Sequence, residues 1–89
     1  MYERTGSEGE SMAEKQVVIY TQPGCAGCLR EKKWLSDKGV FFIEKDIRED
    51  EQALRELTGL GSQATPTTVI RGEVIIGFDP KKLGEKLEV

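Results

Sequence analysis

Both cysteines of the chain lie three positions apart, in the segment Cys25-Ala26-Gly27-Cys28. An apolar run from Val17 to Tyr20 precedes this segment, and a stretch with helical character follows it. A dithiol at a strand-to-helix junction places its first sulfur at a helix N-terminus, where negative charge is stabilised. A CxxC pair beside such a pattern is typical of redox chemistry or metal binding. The pair therefore favours folds in which a strand leads directly into a helix.

The composition fits one small domain. A chain of 89 residues provides enough core for a single domain. The net charge of −3, without a basic cluster interleaved with aromatics, argues against general nucleic-acid binding. No apolar run approaches the ~20 residues of a membrane helix, and the N-terminus lacks the apolar core of a secretory signal. We therefore expect a monomer in the reducing cytoplasm, with no nucleic-acid or membrane partner.

Residues 1–14 are expected to form a flexible tail ahead of a folded domain that spans residues 15–89. The tail is polar and rich in Gly, Ser and Glu. Such a segment cannot bury enough apolar surface to offset the entropy lost on ordering. Met1 and Met12 are both candidate starts for the native chain.

The remaining pattern predicts the element order β-α-β-α-β-β-α. Four contiguous apolar residues indicate a first strand that is covered on both faces. A right-handed crossover makes the first two strands parallel, and the last two form a hairpin that closes the sheet. The predicted strands are Gln16–Tyr20, Val40–Asp46, Thr67–Arg71 and Glu73–Ile76. The predicted helices run from Cys25 to Lys38, from the acidic stretch 49–51 to the glycines at 59 and 61, and from Asp79-Pro80 onwards.

All three helices have predicted core faces, and the third is expected to contact the core through Leu83 and Leu87, four residues apart. The first helix is expected to pack Trp34 and Leu35 onto the sheet. The second is expected to bury an apolar stripe, which consists of Ala53, Leu54, Leu57 and Leu60.

This pattern resembles the thioredoxin fold in its minimal glutaredoxin-like form, an α/β fold with a four-stranded mixed sheet and three helices. Three motifs carry the resemblance: the CxxC segment, Thr65-Pro66 before the third strand, and Gly77-Phe78-Asp79-Pro80 after the fourth. In this family the proline beside the CxxC motif follows a cis peptide bond and leaves the preceding backbone free to pair with an extended substrate. The resemblance therefore implies a cis Thr65–Pro66 bond. It also implies a substrate groove formed by Thr65, Pro66, Gly77, Phe78 and Asp79.

The two cysteines are predicted to be catalytic and to have different roles. Cys25 is expected at the helix N-cap, exposed, where the helix dipole lowers the pKa of a thiol from about 8.5 by roughly one unit. Its thiolate attacks a disulfide of a protein substrate and forms a mixed disulfide. Cys28, one turn further along and more buried, then attacks Cys25 and releases the reduced substrate. The predicted function is therefore that of a thiol–disulfide oxidoreductase.

A metal or cluster carrier is the alternative interpretation. Zinc sites usually need four ligands, and the chain offers two cysteines and no histidine. A symmetric dimer supplies four thiolates for zinc. An iron–sulfur cluster bridged between subunits is similarly compatible, since some glutaredoxins bind one with glutathione completing the ligands. Apart from this alternative, neither a metal nor a cofactor is expected.

The electron donor is either glutathione or thioredoxin reductase. The glutathione-binding segment of glutaredoxins, Gly-Gly-Ser/Cys-Asp, here reads Ile76-Gly77-Phe78-Asp79 and is incomplete. Gly77-Phe78 followed by Pro80 is similar to NrdH-redoxins, donors to ribonucleotide reductase that thioredoxin reductase reduces. Their flanking Trp-Ser pair is replaced by Ile75-Ile76, and Asp79 stands where they have arginine. A bulky Ile76 in place of glycine favours weak or absent glutathione binding.

Residues around the motifs have more than one interpretation. Glu31 follows Cys28 by one turn, where relatives usually have alanine; we interpret it as a solvated helix carboxylate, with a proton acceptor for the resolving thiol as the alternative. Phe78 is either a substrate-facing aromatic or a core residue. Arg30, Lys32 and Lys33 are expected to form a solvated face of the first helix. Gly27 is expected to loosen the first helical turn.

Overall fold

Residues 16–89 form a four-stranded sheet with three helices in the computed structural model. The predicted order of elements is confirmed, and the predicted tail, 1–14, lies outside the described residues. In chain order the elements are β1 (Val17–Thr21), α1 (Ala26–Asp37), β2 (Ile43–Asp46), α2 (Glu51–Gly59), β3 (Thr67–Ile70), β4 (Glu73–Ile76) and α3 (Pro80–Leu87). Within residues 16–89, no helix has the length and apolar character needed to cross a bilayer.

The sheet has the strand order β2-β1-β3-β4 and is mixed. β1 pairs in parallel with β2, where Val18 lies opposite Ile43, and antiparallel with β3, where Tyr20 lies opposite Thr67. β3 and β4 form the predicted antiparallel hairpin. β1 is paired on both edges, and its side chains are buried or partly buried on both faces because helices cover both. It carries the chain directly to the loop before Cys25.

Two apolar clusters cover the two faces of the sheet. One joins α1 and α3 to the strands and the other joins α2 to them, as expected from the alternation of side chains along β1. The buried residues of the first are Val17, Leu35, Ile70, Ile75 and Leu83, and those of the second are Tyr20, Ala53 and Leu57.

Several of the predicted core residues are less buried than expected. Ala53 and Leu57 are buried and Leu60 is partly buried, but Leu54 is 44% exposed. Leu54 lies about 100° around the helix from Ala53, which removes it from the buried stripe. Trp34 is only partly buried and packs at the edge of the first cluster.

Strand β2 begins at Ile43 rather than at Val40 as predicted. The backbone N–H of Val40 donates to the carbonyl of Leu35 at 2.9 Å, so this segment is tied to the end of α1. Val40 and Phe42 pack against the first cluster, whereas Phe41 is 94% exposed. The hydrogen bond to the helix end therefore takes the place of the first strand pairings.

Candidate active site

Cys25 is the N-cap residue of α1, the position predicted for it. Its backbone is extended, with φ −97° and ψ 104°, and its Sγ accepts a hydrogen bond from the backbone N–H of Cys28 at 3.0 Å. The two cysteines are joined by a disulfide across a Cα–Cα distance of 5.2 Å. Cys25 is partly exposed and Cys28 is 2% exposed. An N-cap acceptor bonded by a helix N–H is stabilised when it carries negative charge, so the geometry favours a thiolate on Cys25 after reduction.

The predicted cis bond between Thr65 and Pro66 is confirmed. Pro66 is buried and lies against the first turn of α1, at Gly27. A Cβ placed on Gly27 would lie 3.1 Å from Cδ of Pro66, closer than ordinary van der Waals contact. Gly27 therefore lets the CxxC turn approach the proline, a packing role that its local sequence does not indicate.

Replacing Gly27 by valine is expected to destabilise the fold by roughly 1–3 kcal/mol, the usual cost of overpacking. Gly59→Val is the matched control, because a Cβ on this second helical glycine meets no atom within 4 Å. Urea denaturation of both variants measures the two free energies of unfolding. Equal losses in the two variants would mean that contact with Pro66 does not constrain Gly27.

Hydrogen bonds bring three separate parts of the chain together around Pro66. The side-chain amide of Gln22 donates to Oγ1 of Thr65 at 3.0 Å. The backbone N–H of Gly77 donates to the carbonyl of Pro66 at 2.8 Å, with Gly77 at φ +86°. A positive φ is readily adopted by glycine, so Gly77 allows the chain to turn beside the proline. Thr65, Pro66 and Gly77 thus lie at one end of the sheet, next to the CxxC turn.

Phe78 and Asp79 help to pack and cap α3. Phe78 is partly buried and packs against the core cluster shared by α1 and α3. The carboxylate of Asp79 is the N-cap of α3 and accepts from the backbone N–H of Lys82 at 3.1 Å. The structure thus gives both residues a structural task, while their role in binding substrate stays a prediction.

A cleft of about 160 Å³ opens beside Cys25 on the β2 side of the dithiol. Lys32 and Glu44 line it, and the Lys32 ammonium donates to Glu44 Oε2 at 2.9 Å. Thr21 Oγ1 donates to the same oxygen at 2.8 Å. The hydrogen bond from Lys32 holds the pKa of Glu44 below its ordinary value. Lys32 therefore bridges α1 to β2 instead of lying on a wholly solvated helix face as predicted.

Glu31 is buried, and its interpretation as a solvated carboxylate is wrong. Its side chain is 0% exposed and forms a buried stripe along α1 with Cys28 and Leu35. Thr68 Oγ1 donates to Glu31 Oε2, and Oε1 has no hydrogen-bond partner among residues 16–89. Burial raises the pKa of Glu31 to about 7, against a smaller lowering effect of the Thr68 hydroxyl. The helical spacing of 28, 31 and 35 was the sequence signal for this burial.

The described part of the chain contains no group of three or more His, Cys, Asp or Glu side chains arranged to hold a metal ion. Both cysteines are joined to each other in the disulfide. A pair of cysteines at this spacing beside Pro66 is suited to the making and breaking of a disulfide.

Comparisons with known proteins agree with this geometry. The glutaredoxin family model matches residues 17–75. The glutaredoxin-like protein NrdH of Lactococcus lactis is 29% identical over 69 residues, which cover 78% of this chain and 96% of that protein. A glutaredoxin-like 8.6 kDa protein from the rubredoxin operon of Clostridium pasteurianum is 27% identical over 73 residues, covering 81% of this chain and 97% of the relative. A thioredoxin-like protein of known crystal structure superposes with a TM-score of 0.77 at 39% identity, covering 80% of this chain and 99% of that one.

Proposed function

This chain belongs to the glutaredoxin family, and we propose that it reduces protein disulfides with Cys25 as the attacking thiolate and Cys28 as the resolving thiol. It is a thiol–disulfide oxidoreductase, as its family and its CxxC pair establish. One observation carries the division of roles between the cysteines. The partly exposed Cys25 sulfur accepts the N–H at the start of α1, while Cys28 is buried one turn behind it.

The proposed reaction is a pair of thiolate displacements. The Cys25 thiolate attacks one sulfur of a substrate disulfide, forming a Cys25–substrate bond while the other substrate sulfur leaves as a thiolate. Cys28 then attacks Cys25, the mixed disulfide breaks, and the second substrate thiolate leaves. The substrate disulfide is the oxidant: it gains two electrons from the Cys25–Cys28 dithiol. The protein ends with the Cys25–Cys28 disulfide seen in the structure.

We propose that the substrate backbone lies along Thr65 and Pro66, next to Gly77. These residues lie at the end of the sheet that also presents the CxxC turn, since Gly27 lies too close to Pro66 to accommodate a Cβ and the N–H of Gly77 donates to the Pro66 carbonyl. An extended peptide held there has its disulfide within reach of the partly exposed Cys25. We further propose that the protein performs this reaction as a monomer in the cytoplasm, where reductants regenerate the dithiol.

We propose thioredoxin reductase, rather than glutathione, as the electron donor. Ile76 occupies the position of a glycine in the glutathione-binding segment of glutaredoxins. Its side chain is 55% exposed, and it directly precedes Gly77, which bonds to Pro66. A branched side chain at this position obstructs the close backbone approach that glycine permits. The likeness to a relative named NrdH supports the same donor.

Steady-state reduction of a protein disulfide, driven by NADPH with either thioredoxin reductase or glutathione plus its reductase, tests this assignment. Faster turnover with thioredoxin reductase is expected. Ile76→Gly should increase the glutathione-driven rate roughly tenfold, equivalent to about 1.4 kcal/mol of binding free energy. The matched control is Val74→Gly, on the same face of β4 and also exposed. Equal turnover with both donors, or an equal gain in the control, would contradict the proposed donor.

A further inference from the structure

Glu31 is a buried carboxyl that lies on the same helix stripe as the resolving cysteine. Cys28, Glu31 and Leu35 are the buried residues of α1, so all three face the sheet. Residues three apart on a helix are neighbours, and helical side chains lean toward the N-terminus. The Glu31 side chain is therefore directed toward the turn that carries Cys28.

Only one of the two oxygens of Glu31 is engaged by the sheet. The Thr68 hydroxyl on β3 donates to Oε2, while Oε1 is buried without a hydrogen-bond partner in residues 16–89. A buried acceptor left unpaired costs on the order of 1–3 kcal/mol, so such groups call for an explanation. The unpaired Oε1 is explained if a proton donor approaches it at one stage of the reaction.

Few other charged groups face this carboxyl. In the row of the sheet beneath it, Thr68 pairs with Ile19 of β1 and Ile75 of β4, and Ile19 pairs with Glu44 of β2. Glu44 is the one titratable group in this row, and it is bonded to Lys32 of α1. The buried residue that α3 contributes to this face is the apolar Leu83. Among these elements, Cys28 is the group next to Glu31 that exchanges a proton in the reaction.

We propose that Glu31 is the general base for Cys28: its carboxylate accepts the Cys28 thiol proton as Cys28 attacks the mixed disulfide. The Cys28–Cys25 bond forms with the electron pair of the former S–H bond, and the bond from Cys25 to the substrate sulfur breaks. The substrate sulfur leaves as a thiolate, and the proton remains on Glu31. When the disulfide is reduced again, Glu31 returns the proton to Cys28. The inference rests on the proposed roles of Cys25 and Cys28.

Burial suits Glu31 to this task. A general base works best when its pKa lies near the operating pH, and burial raises the pKa of Glu31 to about 7. The thiol that it serves is itself buried, which disfavours unaided thiolate formation. An internal acceptor therefore replaces the water that this part of the site excludes.

A stopped-flow reaction of the reduced protein with dithiobis(nitrobenzoate) separates the two steps. Attack by Cys25 releases a first coloured thiolate at a rate that depends on reagent concentration. Attack by Cys28 on the mixed disulfide releases a second coloured thiolate at a rate that is independent of reagent concentration. In Glu31→Gln, the second rate should fall roughly 100-fold at pH 7, the lower end of general-base effects, with the first rate retained. The wild-type second rate should rise with pH and level off above about 7, an inflection that the variant lacks.

Two further variants distinguish proton transfer from a structural effect. Asp37→Asn removes an exposed carboxylate further along α1 and should keep both the second rate and its inflection. Thr68→Val removes the hydroxyl that lowers the pKa of Glu31, so the inflection should move to higher pH. An unchanged second rate in Glu31→Gln, or a slower one that keeps the inflection near pH 7, would overturn the inference. If the wild type showed no first phase that depends on reagent concentration, the role of Cys25 would be refuted instead.

Discussion

Cys25→Ser is expected to abolish disulfide reduction, with a loss on the order of 10³-fold or more. The serine hydroxyl keeps an acceptor at the N-cap of α1, so the fold is retained. It is not ionised at neutral pH, so it does not attack a disulfide. Insulin reduction followed by turbidity, with dithiothreitol background subtracted, measures the effect.

Cys28→Ser is the matched variant, since it removes the other sulfur of the same pair. It keeps the attacking thiolate but lacks the thiol that breaks the mixed disulfide, so it should accumulate a mixed disulfide with the substrate. Mass spectrometry before and after dithiothreitol treatment detects that adduct. If Cys25→Ser retained full activity, or if Cys25→Ser rather than Cys28→Ser accumulated the adduct, the assigned roles would be wrong or reversed.

The second large effect expected is a loss of stability with rising pH that originates in Glu31. Burial raises the pKa of this carboxyl from 4.5 to about 7 in the folded protein. Below pH 4.5 it is protonated in both the folded and the unfolded state. Between 4.5 and 7 the unfolded chain ionises while the folded protein retains its proton, so the free energy of unfolding falls. Above pH 7 this loss is complete, at about 3 kcal/mol for a shift of this size.

Urea denaturation of the oxidised protein from pH 4 to pH 8 measures this effect. Glu31→Gln removes the ionisation, so the variant should gain about 3 kcal/mol relative to the wild type across that range. The cost of burying the amide is the same at every pH and drops out of the comparison. Glu44 and Glu56, whose pKa values are lowered by Lys32 and Lys45 respectively, are shared by both proteins. A difference that stays constant between pH 4 and pH 8 would contradict the buried ionisation.

The order of elements could be predicted because each is encoded locally. The apolar run of β1, the Asp79-Pro80 opening of α3 and the glycines that end helices are short-range signals. The start of β2 could not be predicted in this way. The backbone N–H of Val40 bonds to the end of α1. Such a contact between a loop and a helix end produces no periodic pattern of apolar residues that the sequence could show.

The site was predictable where a motif specifies it, and less so where tertiary packing decides. The CxxC pair and the cis-proline were recognised from their motifs. The burial of Glu31 was missed because a charged residue is rarely placed in a core, although its spacing from Cys28 fits the buried stripe. The role of Gly27 depends on Pro66, a residue distant in sequence, so no local pattern indicates it.

The contacts around Pro66 also bear on how the protein matures on the ribosome. The dithiol emerges early, but Pro66 follows only after α2, and Gly77 lies beyond the β3–β4 hairpin. A nascent chain that stops before the hairpin therefore carries both thiols without Gly77 and without strand β3, which pairs with β1 directly after Pro66. If a substrate lies along Thr65, Pro66 and Gly77 as proposed, selectivity is acquired only when the last third of the domain has been translated and folded. On the same proposal, a truncated product is a dithiol that does not discriminate between partners.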